Sequence, residues 1–165
     1  MTRLFTALVP PAAAVTDMAA ELAGPVPAGW RRVDPASWHV TLAFHGDADP
    51  VPVAAALDAI AGMPAPRLRI HGTGAFPGVR FARVVAEPED ALLALVAGAG
   101  GDAAGFVPHL TVLRRRGRGH PEPTARLPRL TGPWWQVDEV MLMASERRPD
   151  GPVYSVVHRV ALAVR

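Results

Sequence analysis

With 165 residues, half of them hydrophobic and only 19% charged, the chain can bury a sizeable core, which excludes wholesale disorder. It has no cysteine, which excludes disulfides, thiolate metal centres and a cysteine nucleophile. The net charge is only +2, all 17 cationic residues are arginine as a GC-rich coding bias would give, and no apolar run approaches the ~18 residues of a membrane span.

The opening stretch from Met1 to Pro10 reads as an edge or core strand over 3–9 rather than a signal peptide, because its apolar part is short and no cleavage-like segment follows. Pro10-Pro11 introduces an alanine-rich helix over 12–22, and 38–44 reads as a strand. Asp49 is the expected N-cap of a helix to residue 60, with Val53, Leu57 and Ile60 at helical spacing. Segments 67–71 and 79–86 read as strands joined by the turn Gly72-Thr73-Gly74. A helix over 87–96 carries acidic residues in its first turn and Gly98 near its end. In the second half, 106–113 is a strand, 114–129 a basic loop rich in Pro and Gly, and 136–144 pairs with 154–164 across a loop at 145–152. Strands interleaved with two or three helices, without a parallel βαβ fingerprint, predict an α+β fold.

The same tetrapeptide pattern stands once in each half: His39-Val40-Thr41-Leu42 and His109-Leu110-Thr111-Val112. On a strand, residues two apart share a face, so each copy presents an imidazole and a hydroxyl together while its apolar residues enter a core. One copy would suit a half-buried structural histidine, whereas a matched pair points to chemistry. Opening a cyclic phosphodiester needs a water activated on one side of phosphorus and a proton for the sugar oxygen leaving on the other. Histidine titrates near neutrality, so one imidazole can serve as base while the other serves as acid, and threonine hydroxyls can hold the non-bridging oxygens. The near-symmetry of the two motifs leaves open which histidine plays which part. The scheme requires no metal and no cofactor.

These residues resemble the bacterial and archaeal RNA 2′,3′-cyclic phosphodiesterases, also called 2′-5′ RNA ligases, of the two-histidine phosphoesterase superfamily. The resemblance runs from the opening strand through Trp38 to Asp47, the turn Gly74-Ala75-Phe76-Pro77, and the stretch from Phe106 to Arg114. It ends with Ser145-Glu146 and Gly151 to Tyr154. It implies a single two-lobed domain over 1–165: two mainly antiparallel sheets with flanking helices around a central cleft, related by a pseudo-two-fold. It implies hydrolysis of a 2′,3′-cyclic phosphate to a 2′-phosphomonoester, with His39 the general acid, His109 the base, and Thr41 and Thr111 on the phosphate. The implied partners are RNA ends or nucleotides bearing a 2′,3′-cyclic phosphate, for a monomeric, cytoplasmic protein with no membrane partner. Segment 79–85 departs from the family in lacking a tryptophan, and the loop after Arg114 is richer in arginine.

Arg114 follows the second motif directly and is assigned to the phosphate or RNA backbone, whereas Arg115, Arg116 and Arg118 are assigned to a solvated loop. Tyr154, Trp30 and Trp38 could stack on a base, but core or rim packing is the simpler expectation, and Phe44 is expected in the core. His45, His71, His120 and His158 show no zinc-ligand spacing, and His71 is set aside because its glycine neighbours suggest a turn. Two alternatives stand beside hydrolysis: 2′-5′ ligation at the same site, and a non-catalytic RNA-end-binding module.

Overall fold

The computed structural model describes residues 2–165, and Met1 lies outside the described residues. Strand β1 (Thr2–Leu8) leads into helix α1 (Ala12–Glu21), with Pro11 at the N-cap. A three-residue strand, β2 (Trp30–Arg32), follows; it is too short to register as a hydrophobic period in the sequence. Strand β3 (Val40–Ala48) begins and ends later than expected. The Asp49 side chain accepts the Val51 N–H and Pro50 occupies the first turn of helix α2 (Pro50–Leu57), as the sequence indicates.

Strands β4 (Arg67–Phe76) and β5 (Val79–Glu87) form a long hairpin. Its turn is Pro77-Gly78, with Gly78 at φ +72°, so the turn expected at Gly72-Thr73-Gly74 is instead an irregularity within β4. His71 therefore sits on a strand and not in a turn. Helix α3 (Glu89–Gly98) precedes β6 (His109–Arg115), which starts at the motif histidine and runs on through Arg115. Strands β7 (Trp135–Gln136), β8 (Glu139–Arg148) and β9 (Gly151–Ala161) complete the chain. Residues 145–148 and 151–152, expected in a loop, extend the β8–β9 hairpin to a tight turn, because each pairs directly with a partner.

The architecture is α+β. One sheet has the order β3-β1-β8-β9 and the other β2-β6-β5-β4-β7, and the named strand pairs are antiparallel. Each sheet carries one motif strand, β3 or β6. Side chains from both sheets, including Leu4, Val40, Leu110 and Val112, join Met18, Leu57, Leu92 and Leu95 from the three helices in one contiguous buried cluster. The apolar members of the two tetrapeptides are among its most deeply buried residues, at 1% exposure for Val40 and 0% for Leu110.

Candidate active site

The two histidines are held alike. His39 Nδ1 lies 2.8 Å from the Ser37 carbonyl oxygen, and His109 Nδ1 lies 2.7 Å from that of Val107. A carbonyl can only accept, so Nδ1 carries a hydrogen in both rings and Nε2 is the nitrogen left for chemistry. Aromatic rings fix the imidazole planes. The His39 ring is 4.8 Å from Phe5 and edge-on to Tyr154 at 5.2 Å. The His109 ring is 5.2 Å from Phe76 and 5.1 Å from Phe81.

A second shared device follows each motif. Ala7 pairs with Thr41 but Thr6 pairs with Ala43, leaving Leu42 as an extra residue. Phe81 pairs with Thr111 but Arg80 pairs with Leu113, leaving Val112 extra. The bulged residue is thus the fourth of each tetrapeptide, and such a bulge reverses the alternation of faces beyond it. Leu42 and Ala43 are both buried in succession, as are Val112 and Leu113. Phe44 and Arg114 then emerge on the side of the threonines. Thr41 and Thr111 remain partly exposed, and Arg114 lines the same cleft as His39. Phe44 is 81% exposed and lines that cleft too, so its expected place in the core is corrected.

The cleft has a volume of about 640 Å³, within the range that suits a small-molecule or nucleotide ligand. Burial holds the His39 imidazole below its ordinary value of 6.5. Its bond to the Ser37 carbonyl opposes that shift, while the charges of Arg114 and His109 add to it. Strands β3 and β6, one from each sheet, pack against each other, while Thr41, His109 and Thr111 lie outside the residues that line this cleft.

The remaining candidates lie elsewhere. His45 Nε2 is 2.8 Å from Oγ1 of the buried Thr6, and burial lowers its proton affinity. His158 bonds Asp58, His71 Nδ1 lies 3.5 Å from Arg69 Nη2, and His120 is exposed. Trp30 and Trp38 are buried, and the Trp30 indole N–H donates to the Pro123 carbonyl, so neither offers a face to a base. Arg115 is not freely solvated: it faces Glu122 at 3.8 Å, and Glu122 also pairs with Arg80 and accepts the Gly78 N–H. Among the described residues, no three His, Cys, Asp or Glu side chains are grouped as metal ligands. No helix among them is long and apolar enough to cross a membrane.

The LigT like Phosphoesterase family matches residues 9–86. The chain is 35% identical to the RNA 2′,3′-cyclic phosphodiesterase of Thermus thermophilus, covering 81% of this chain and 76% of that one. Its structure is similar to that of TT0787 of Thermus thermophilus, with a TM-score of 0.76 and 30% identity over 96% of this chain and 97% of the other. It is also similar to E. coli LigT complexed with 3′-AMP, with a TM-score of 0.74, 26% identity and 98% of each chain covered. The same protein complexed with ATP gives a TM-score of 0.75, again with 26% identity and 98% of each chain covered.

Proposed function

The chain belongs to the LigT-like phosphoesterase family, and from that premise we propose that it hydrolyses RNA or nucleoside 2′,3′-cyclic phosphate to the 2′-phosphomonoester without a metal. The observation that carries the mechanism is the matched pair of imidazoles, each tethered through Nδ1 to a backbone carbonyl. This tether leaves Nε2 of each ring free to accept or give a proton. His109 takes a proton from water as the water oxygen bonds to phosphorus. The bond from phosphorus to O3′ breaks, and His39 gives its proton to that departing oxygen. The products are a 3′-hydroxyl and a 2′-phosphomonoester, and the two histidines have exchanged protonation states.

Thr41 and Thr111 donate to the non-bridging oxygens, and Arg114 sets a fixed positive charge beside the phosphate, where negative charge builds in the transition state. The assignment of acid and base follows the family resemblance. The LigT complexes with 3′-AMP and ATP support a cleft of nucleotide shape. The whole chain acts as one two-lobed unit and as a monomer, located in the cytoplasm, on RNA ends or nucleotides.

The test is turnover of adenosine 2′,3′-cyclic phosphate with the product isomer identified by phosphorus NMR. His39→Ala and His109→Ala should each lose about 10² or more in rate with the fold intact by circular dichroism. Rates near wild type in both variants would end the proposal. Activity should also be indifferent to EDTA, and strong inhibition by it would reject the metal-free scheme.

A further inference from the structure

Glu122 is the single acidic residue of the basic loop over 114–129. Its half-buried carboxylate is fully engaged. Oε2 accepts the Gly78 N–H at 2.7 Å, and Oε1 accepts a bond from Arg80 Nη2 at 2.9 Å. Arg115 brings a second guanidinium to 3.8 Å from Oε2. Bonds to an ionised acceptor are the strong ones, so this carboxylate ties the loop firmly to β5 and β6. Arg80 carries the contact onward. Its Nη1 donates to the Phe76 carbonyl at 3.4 Å and its Nε to the Ala125 carbonyl at 3.0 Å. Its guanidinium lies over the Trp30 ring, 4.4 Å from the centroid. The Arg115 N–H donates to the Gly78 carbonyl at 2.9 Å. The tip of the β4–β5 hairpin, from Phe76 to Val79, is thus held from below by a loop that follows β6. At that tip the Phe76 ring is 37% exposed and stands edge-on to His109 at 5.2 Å. A ring so exposed is not fixed by a core, so its place depends on the backbone beneath it.

We propose that Glu122 is a positioning residue: its carboxylate clamps the tip of the β4–β5 hairpin, and the clamp keeps the Phe76 ring against the His109 imidazole. Glu122 touches neither His109 nor any group proposed to meet the phosphate. It acts through Gly78 and Arg80 on Phe76, and through Phe76 on the ring proposed as the base. The consequence for rate rests on the phosphodiesterase reading above, whereas the consequence for the ring's position does not. Without the carboxylate, the Gly78 N–H loses its acceptor, and Arg80 and Arg115 lose the counter-charge they share. The Gly78 N–H first, and Arg80 next, hold the Glu122 carboxyl below its ordinary value of 4.5, so the clamp stays charged where the histidines titrate. The sequence gives no sign of it, because Glu122 and Gly78 stand 44 residues apart and meet only once β5 has paired with β6.

The experiment compares Glu122→Gln, which keeps the shape and removes the charge, with Glu122→Asp, which keeps the charge. Glu139→Gln, which breaks an ordinary surface pair with Arg159 at 2.6 Å, is the control. On adenosine 2′,3′-cyclic phosphate, Glu122→Gln should lower kcat about tenfold or more and leave KM within about twofold, because a misplaced base slows the chemical step without weakening substrate binding. Glu122→Asp should recover part of that rate, and Glu139→Gln should match wild type. Phe76→Ala should also lower kcat, and adding Glu122→Gln to it should cost nothing more, since both changes break the same chain of contacts. Losses that multiply in the double variant, or a raised KM with kcat intact, would overturn the route through Phe76. Proton NMR reads the ring's position without turnover. The His109 Cε1–H signal is shifted by the ring currents of Phe76 and Phe81, and it should move in Glu122→Gln. The His39 signal, set by Phe5 and Tyr154, should stay in place. Arg80→Lys, which cannot bridge Glu122, Phe76 and Ala125 at once, should move the same His109 signal and serves where Glu122→Gln does not fold. An unmoved His109 signal, or equal shifts in both histidines, would overturn the clamp. A His109 signal that moves in a protein whose wild type does not hydrolyse the cyclic phosphate would uphold the clamp and reject the phosphodiesterase reading.

Discussion

A carbonyl oxygen two residues upstream decides what each motif histidine can do. Ser37 and Val107 hold the Nδ1 hydrogens, so proton traffic passes through Nε2 in both rings. The rings differ in surroundings, because burial depresses the proton affinity of His39, helped by the charges of Arg114 and His109. In the free protein, then, burial favours the neutral form of His39, and the acid role proposed for it requires the negative charge of a bound phosphodiester to restore the proton. An aryl phosphodiester, whose phenolate departs without a proton, separates the roles. His39→Ala should lose about 10² or more on the cyclic nucleotide but less than about tenfold on the aryl ester, whereas His109→Ala should lose on both. The inverse pattern would exchange acid and base. The same depression has a consequence for stability. The unfolded chain binds a proton at residue 39 near pH 6.5, whereas the native state binds it only at lower pH. The contribution of His39 is therefore fully present above about pH 6.5 and is lost as the pH falls through that value toward the lower native one. His45 adds a shift of the same sign. The melting temperature of wild type should decline from pH 7.5 to 5, and His39→Gln should decline less; parallel curves would refute the assignment.

At the scale of the element, strand alternation carried the sequence reading as far as the fourth residue of each motif and failed there. Strict alternation from His39 puts Phe44 on the same face as Val40, inside the core. The bulge at Leu42 turns it out into the cleft, and the bulge at Val112 does the same for Arg114. The shared face of His39 with Thr41, and of His109 with Thr111, was legible because these residues precede the bulges. Bulges leave no mark in composition, so Phe44 was misplaced, and the assignment of Arg114 rested on adjacency alone. Tyr154 lay outside reach for a different reason, since it meets His39 only through the pairing of β9 with β8 and of β8 with β1. The β4–β5 hairpin was legible as two strands, but the glycines at 72 and 74 drew the turn to the wrong place. Gly74 is small because a side chain there would start 2.3 Å from the Phe81 ring, and Phe81 packs on His109. Gly74→Ala should displace Phe81, cost about 1–3 kcal/mol of stability as overpacking, and reduce kcat. Gly119→Ala, with nothing within 4 Å of its new methyl, is the control. Thermal unfolding and steady-state kinetics on both variants check this, and an active, fully stable Gly74→Ala would show that the Phe81 ring yields freely.

For the whole molecule, the site is a property of two sheets at once. His39 adjoins β3 and His109 opens β6, so the separation of their Nε2 atoms is set by how the sheets pack and not by either strand. That packing is the shared cluster, in which Leu4 and Leu142 of one sheet and Leu110 of the other are completely buried. Four or five strands with one apolar face each would leave that face wet if a lobe stood alone, so the lobes should fold together. Leu142→Ala and Leu110→Ala, one per sheet, should each cost about 2–5 kcal/mol. Each should also lower a single calorimetric transition whose van't Hoff and calorimetric enthalpies agree. Two transitions, with each variant shifting only its own, would mean that the lobes are independent domains. The distance between the imidazoles would then be free to vary, and a fixed acid–base pair across one phosphate would lose its structural support.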